Sequence, residues 1–197
     1  MVALSTQRGP EATRLLEEGA IDLALIPNAI ATGSMDVMPL FQEPLLLIGR
    51  AALIGTGRGA VRTQRALSLP LVYPDRSHDA RRMVDRLGLE LGVTPNIRYE
   101  HNSAEIMAGL IESGLACTVM SASPFASEIG SGEFATRRIN PPASRIVSIA
   151  WRRDRPVNPA IRATRNLLIE VVATRMNVIG GRLLRADSAA GASAPYE

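Results

Sequence analysis

The segment from Asn102 to Met120 constrains this chain most, because it reads as one capped helix delivered into one buried strand. Ser103 is a preferred N-cap residue, and Ile106, Leu110 and Ile111 recur at helical spacing. Gly114 supplies the left-handed stop that a helix C-terminus commonly takes. Leu115 to Met120 is then a short, nearly continuous apolar run with Thr118 and Val119 β-branched, the pattern of a strand covered on both faces. In an open α/β sheet, ligands sit outside the carboxyl ends of strands, beside helix N-termini with free N–H groups. Asn102 and Ser103 therefore fall where a small molecule would be held.

The opening segment repeats this grammar. Val2 to Thr6 reads as a short strand, and Gly9-Pro10-Glu11 opens a helix with proline in its first turn and an acid at its positive end. Ala12, Leu15 and Leu16 form its apolar stripe, Gly19 ends it, and Ile21 to Ile26 follows as a strand. Such a strand–helix–strand unit predicts two parallel strands and a right-handed crossover.

The run Arg14 to Leu25 resembles the L-x-x-G-x-x-D-x-A segment of the effector-binding domain of LysR-type bacterial transcription regulators. Further matches come in that family's order. Pro39 to Ile48 resembles the strand pair leading out of its first lobe. Leu69 to Pro74 with Arg81 to Asp85 resembles the entry to its second lobe. Glu100 to Met120 resembles the helix-to-strand signature, and Ile149 to Arg152 with Asn158 to Ala163 the return strand and closing helix. The resemblance spans roughly residues 2 to 176.

It implies an α/β, two-lobe fold of the type II periplasmic-binding-protein kind. Each lobe is expected to hold a mixed, mainly parallel sheet flanked by helices, with two crossover strands as hinge. Residues 1–49 and 149–185 would form lobe I, 50–148 lobe II, and 186–197 a disordered tail. The family's helix-turn-helix and the first strand–helix pair of its effector domain do not match any part of this chain, which starts at what reads as the second strand. Met120-Ser121-Ala122-Ser123 also departs from the pattern, since the family usually closes this strand with an apolar residue and proline. The resemblance further implies homodimers or homotetramers, with DNA bound only through the helix-turn-helix.

Composition narrows the alternatives. An apolar fraction of 46% over 197 residues is ample for a packed core. The 22 basic residues are all arginine, scattered rather than gathered on one helix, and net charge is only +3, which argues against a nucleic-acid surface in this stretch. One cysteine, Cys117, excludes an intrachain disulfide framework and fits a reducing cytoplasm; its place in a buried-strand pattern suits packing better than nucleophilic chemistry. No apolar run approaches the ~18 residues of a membrane span, and the N-terminus lacks a signal-peptide pattern.

Between these landmarks, Met35 to Gly49 reads as two strands divided at Glu43-Pro44, and Leu71 to Tyr73 and Ile97 to Glu100 as strands. A helix is expected from about His78 to Leu91 and a final one from Asn158-Pro159. Gly55-Thr56-Gly57-Arg58-Gly59 lacks the phosphate-loop spacing and a following helix, so it reads as a surface connection.

Three loops are expected to converge on the gap between the lobes. Gln7, Arg8 and Gly9 come from lobe I; Asp75, Arg76 and Ser77, then Asn102 and Ser103, come from lobe II. Helix N-termini with arginine favour an anion, so the expected effector is a small organic acid. The competing reading is that Ser103 only caps its helix and Arg76 is a solvated surface charge. Neither His78 nor His101 has a second histidine at i+4, and Glu100 and Glu105 lack a matching base, so neither a metal, a cofactor nor catalysis is expected. The leading function is the ligand-sensing domain of a cytoplasmic regulator. A periplasmic solute-binding protein and an enzyme on the same bilobal scaffold are the alternatives.

Overall fold

The computed structural model describes residues 2–7, 9–57, 59–155 and 159–184. In chain order the first elements are α1 (Gly9–Glu17), β1 (Leu23–Pro27), β2 (Met35–Pro44), β3 (Leu46–Gly49), α2 (Ala51–Ile54) and β4 (Val61–Arg62). Then come α3 (Thr63–Ser68), β5 (Leu71–Tyr73), α4 (Asp79–Glu90), β6 (Ile97–Glu100), α5 (Ala104–Glu112) and β7 (Thr118–Met120). A 3-10 turn (Ser123–Phe125) leads to α6 (Ala126–Gly130), β8 (Ala135–Asn140), β9 (Ser144–Arg152), α7 (Pro159–Ile179) and β10 (Arg182–Leu183). The chain divides into two compact units. One is Met1–Gln42 with Ile146–Asn177 and Gly181–Glu197; the other is Glu43–Arg145 with Val178–Gly180.

In the first unit, α1 forms where the sequence places it. Arg14 pairs with Glu11 and Glu18 one turn to either side, and Ala12 and Leu16 are buried with Ile26, Met35 and Ala150. Gly19, at φ 71°, takes the left-handed stop. The sheet order is β1-β9-β2-β10, with β1 antiparallel to β9 from Leu23 opposite Trp151 to Pro27 opposite Val147. The parallel partner expected for this strand is not formed. Residues 2–7 are exposed and carry no strand, because a strand needs a neighbour for its N–H and C=O groups.

The second unit holds the larger core. Its main sheet runs β4-β8-β3-β7, with β3 antiparallel to both β7 and β8 and β4 parallel to β8. Beside it, β5 pairs with β6 in parallel, and a parallel bridge joins Leu71 to Cys117 at the entry to β7. Sheets flanked by helices are thus present in both units, but antiparallel pairs predominate where parallel ones were expected. β3, assigned to the first lobe on sequence, belongs to the second unit because both of its neighbours do; Val147 and Ser148 pair with β1 and belong to the first.

Around the central segment, Ser103 is the N-cap of α5 and Gly114 has φ 73°, as the sequence demands. The buried stripe is Met107 and Ile111, whereas Ile106 faces outward, since a cap at Ser103 fixes which side of the first turn meets the sheet. Leu115 is exposed, and the buried strand is confined to Thr118–Met120. Cys117 is fully buried and burial pushes its thiol up to about 12, so it packs as an apolar residue. The final helix starts at Pro159 within the described residues; Asn158, Arg58 and the tail expected at 186–197 lie outside them.

Candidate functional site

β6, β5 and the approach to β7 run in one direction, so the loops at 101–103, 74–78 and 121–123 all leave carboxyl ends of parallel strands. This is the edge at which α/β sheets hold ligands. Two of these loops were singled out on sequence; the third was noticed only as a departure from the family pattern.

The first two loops are locked together. The Asn102 Nδ2 donates to Asp75 Oδ2 at 2.6 Å, and the Asp75 backbone N–H donates back to Asn102 Oδ1 at 3.1 Å. Ser77 closes an Asx turn, its N–H donating to Asp75 Oδ1 at 2.8 Å and its hydroxyl to the same oxygen. Both histidines serve as backbone acceptors. His78 Nδ1 takes the Ala80 N–H at 3.2 Å as the N-cap of α4, and His101 Nδ1 takes the Ser103 N–H at 3.0 Å. Ser103 Oγ accepts the Ile106 N–H at 3.4 Å. Underneath, Arg81 ties α4 to the end of β6 by pairing with Asp85 at 3.1 Å and Glu100 at 2.7 Å. Asp75, Ser77, Asn102 and Ser103 are therefore brought together, and Asp75 and Asn102 direct their polar atoms at each other. Arg76 is exposed and has no ion pair among the described residues. Gln7 is exposed, and Gly9, the first residue of α1, accepts the Thr13 hydroxyl at 3.0 Å; both lie in the first unit. Arg8 lies outside the described residues.

The third loop carries the buried chemistry. Ser121 is 1% exposed and its Oγ has no hydrogen-bond partner among the described residues. It lines a small cavity of about 10 Å³ with Leu45, Ala80, Met83, Met120 and Arg145. That is room for about one water molecule. Glu43 is 0% exposed; its Oε1 accepts from Arg145 Nε at 2.5 Å and its Oε2 accepts from the Ser123 hydroxyl. Arg145 itself has a side chain only 13% exposed. The arrangement is an apolar recess with one orphan hydroxyl and one guanidinium, held by a buried carboxylate. Its free volume takes one water-sized group, and a polar atom placed there meets the Ser121 hydroxyl and the Arg145 guanidinium. Among the described residues, no three His, Cys, Asp or Glu side chains are placed to hold a metal ion.

Sequence reasoning missed Glu43, Arg145 and Ser121. The available signals were an acid inside the apolar run Leu40 to Ile48, and two serines directly behind a run of buried residues. Ser121 and Ser123 occupy the departure noted at the close of the strand, so the position that broke the resemblance is the one that carries polar groups.

Residues 2–173 match the family model described as LysR substrate binding domain. The uncharacterized HTH-type transcriptional regulator YybE of Bacillus subtilis (strain 168) is 21% identical over 155 residues, 78% of this chain and 52% of that protein. The chain thus spans about half the length of this curated relative. The CcmR regulatory domain of Synechocystis PCC6803, solved in complex with 2-PG, has TM-score 0.73 at 19% identity, covering 87% of this chain and 83% of that one. The effector-binding domain of QuiR, solved in complex with shikimate, has TM-score 0.70 at 16% identity, covering 85% and 79%.

Proposed function

The chain belongs to the LysR substrate binding domain family, and from that premise we propose that it is the effector-sensing domain of a cytoplasmic transcription regulator. The observation that supports this best is the cluster of three loops at the carboxyl ends of parallel strands, with the unpartnered Ser121 hydroxyl and the Arg145 guanidinium on one recess. The effector is a small organic acid. One oxygen of its carboxylate takes the water-sized space beside Arg145 and Ser121, with the rest of the molecule toward Arg76 and Ser103 at the solvent side, while Asp75 and Asn102 hold the loops in place. The CcmR and QuiR domains were solved in complex with 2-PG and shikimate, which supports a small-molecule effector here.

The mechanism is a difference in affinity between two states. A ligand that fills the recess in one arrangement of the loops better than in another shifts the population toward the first. Ser123 donates to the same carboxylate that holds Arg145, so movement of the 121–123 loop is felt by both β2, which ends beside Glu43, and β9, which begins beside Arg145. DNA reading, in this proposal, belongs to a helix-turn-helix outside this domain, and no turnover of the effector is involved. The domain pairs as a homodimer; light scattering on the purified chain is expected to give twice the monomer mass, and a monomer at high concentration contradicts that element.

Ser121→Ala tests the assignment with two opposed signs. Deleting a buried hydroxyl that has no partner among the described residues is expected to raise the free protein's stability by about 1 kcal/mol. A carboxylic acid found by thermal-shift screening of the wild-type chain, where binding must raise the melting temperature, is expected to lose at least tenfold in affinity. A variant that binds the acid as well as wild type contradicts the placement.

A further inference from the structure

We infer that the second unit carries a separate site for a small phosphate monoester on the β4–α3 edge. Arg62, Gln64, Arg65 and Asn140 are all exposed and together line an open depression of about 480 Å³. A volume of that order is within the range of small-molecule sites, roughly 300–1,000 Å³. No acid lines it, and neither arginine has an ion pair among the described residues. The chain contains no lysine, so the choice of arginine is uninformative in itself; the placement is what matters.

That placement is fixed by backbone. Arg62 and Asn140 are register partners in the parallel β4–β8 pair, whose Val61 and Ile139 are buried. Thr63, fully buried, donates its hydroxyl to the Pro141 carbonyl at 2.8 Å, fastening the start of α3 to the end of β8. Arg65 follows on α3, three residues after Arg62. Arg62, Gln64, Arg65 and Asn140 therefore line one depression whose backbone is held by the β4–β8 register and the Thr63 bond. Two like charges lining one depression with no acid among its lining residues favour a dianion there. Each guanidinium can donate two parallel hydrogen bonds to phosphate oxygens, and the amides offer donors and acceptors to the rest of an ester.

The site is distinct from the recess at Ser121. In the order β4-β8-β3-β7 the two lie at opposite edges of one sheet, three strand spacings apart, or about 14 Å. It therefore stands whether or not the effector assignment does.

The test is calorimetric titration of the whole chain with inorganic phosphate and with glycerol 3-phosphate, at ionic strength held constant with chloride. Saturable binding of either is expected, lost at least tenfold in the Arg62→Gln/Arg65→Gln double variant and unchanged in Ser121→Ala. Arg62 and Arg65 are exposed and Ser121→Ala removes a single oxygen, so both variants are expected to fold, which circular dichroism checks. Tighter binding of the ester identifies an organic phosphate, and tighter binding of phosphate identifies the free anion; either supports the site. No saturable heat, or equal affinity in the double variant, overturns it.

Discussion

Replacing Arg145 with methionine is expected to destabilise the protein by about 3–5 kcal/mol, the range for removing one partner of a buried ion pair. The reason is what stays behind. Glu43 is 0% exposed, and without Arg145 its carboxylate keeps the Ser123 hydroxyl but has lost its compensating charge. Adding Glu43→Leu to the same chain removes the stranded charge and is expected to recover most of the loss, because a buried pair replaced by apolar groups of similar volume is often neutral. Urea denaturation followed by circular dichroism measures both. If the double variant is no more stable than Arg145→Met alone, Glu43 and Arg145 do not act as one buried unit. The recovered double variant has a second use: it folds, but it lacks the guanidinium of the recess, so a carboxylate effector should bind it poorly.

Phe125→Ala carries the second large effect, about 3–5 kcal/mol for truncating a buried phenylalanine. The ring is fully buried in the core of the second unit and meets Phe134 with centroids 6.0 Å apart at 59°, a tilted aromatic contact. It also anchors the chain just after Ser121 and Ser123, through a turn in which the Phe125 N–H donates to the Ala122 carbonyl at 2.9 Å. Losing the ring should therefore loosen the recess as well as the core. Phe125→Leu, nearer in volume, is expected to cost less than half as much and to keep ligand affinity. Equal losses in the two variants would mean that ring volume is not what fixes the loop.

The elements with strong local signals are legible in the sequence. Leu71–Tyr73 and Ile97–Glu100 are bounded by residues that end strands, and α4 and α5 carry their own caps in His78 and Ser103 and their own stops in Gly92 and Gly114. α2 and α3 went unread because four and six residues are too few to show a period. Strand direction was misjudged at β1 because an apolar run is equally good as either partner, and its antiparallel neighbour β9 lies more than a hundred residues away. Of the site, Asp75 with Asn102 could be placed together from the α/β rule for strand ends. Glu43 and Arg145 could not, since each looks like an ordinary surface charge until residues 102 positions apart are seen to share one buried pair.

The most direct test of the central claim is an amide NMR titration of this chain with a small carboxylic acid selected for raising its melting temperature. The account predicts that shifts concentrate at 74–78, 101–104 and 119–123, the three loops at the carboxyl ends of β5, β6 and β7. Shifts confined to other parts of the chain, with those three loops unmoved at saturation, would contradict it.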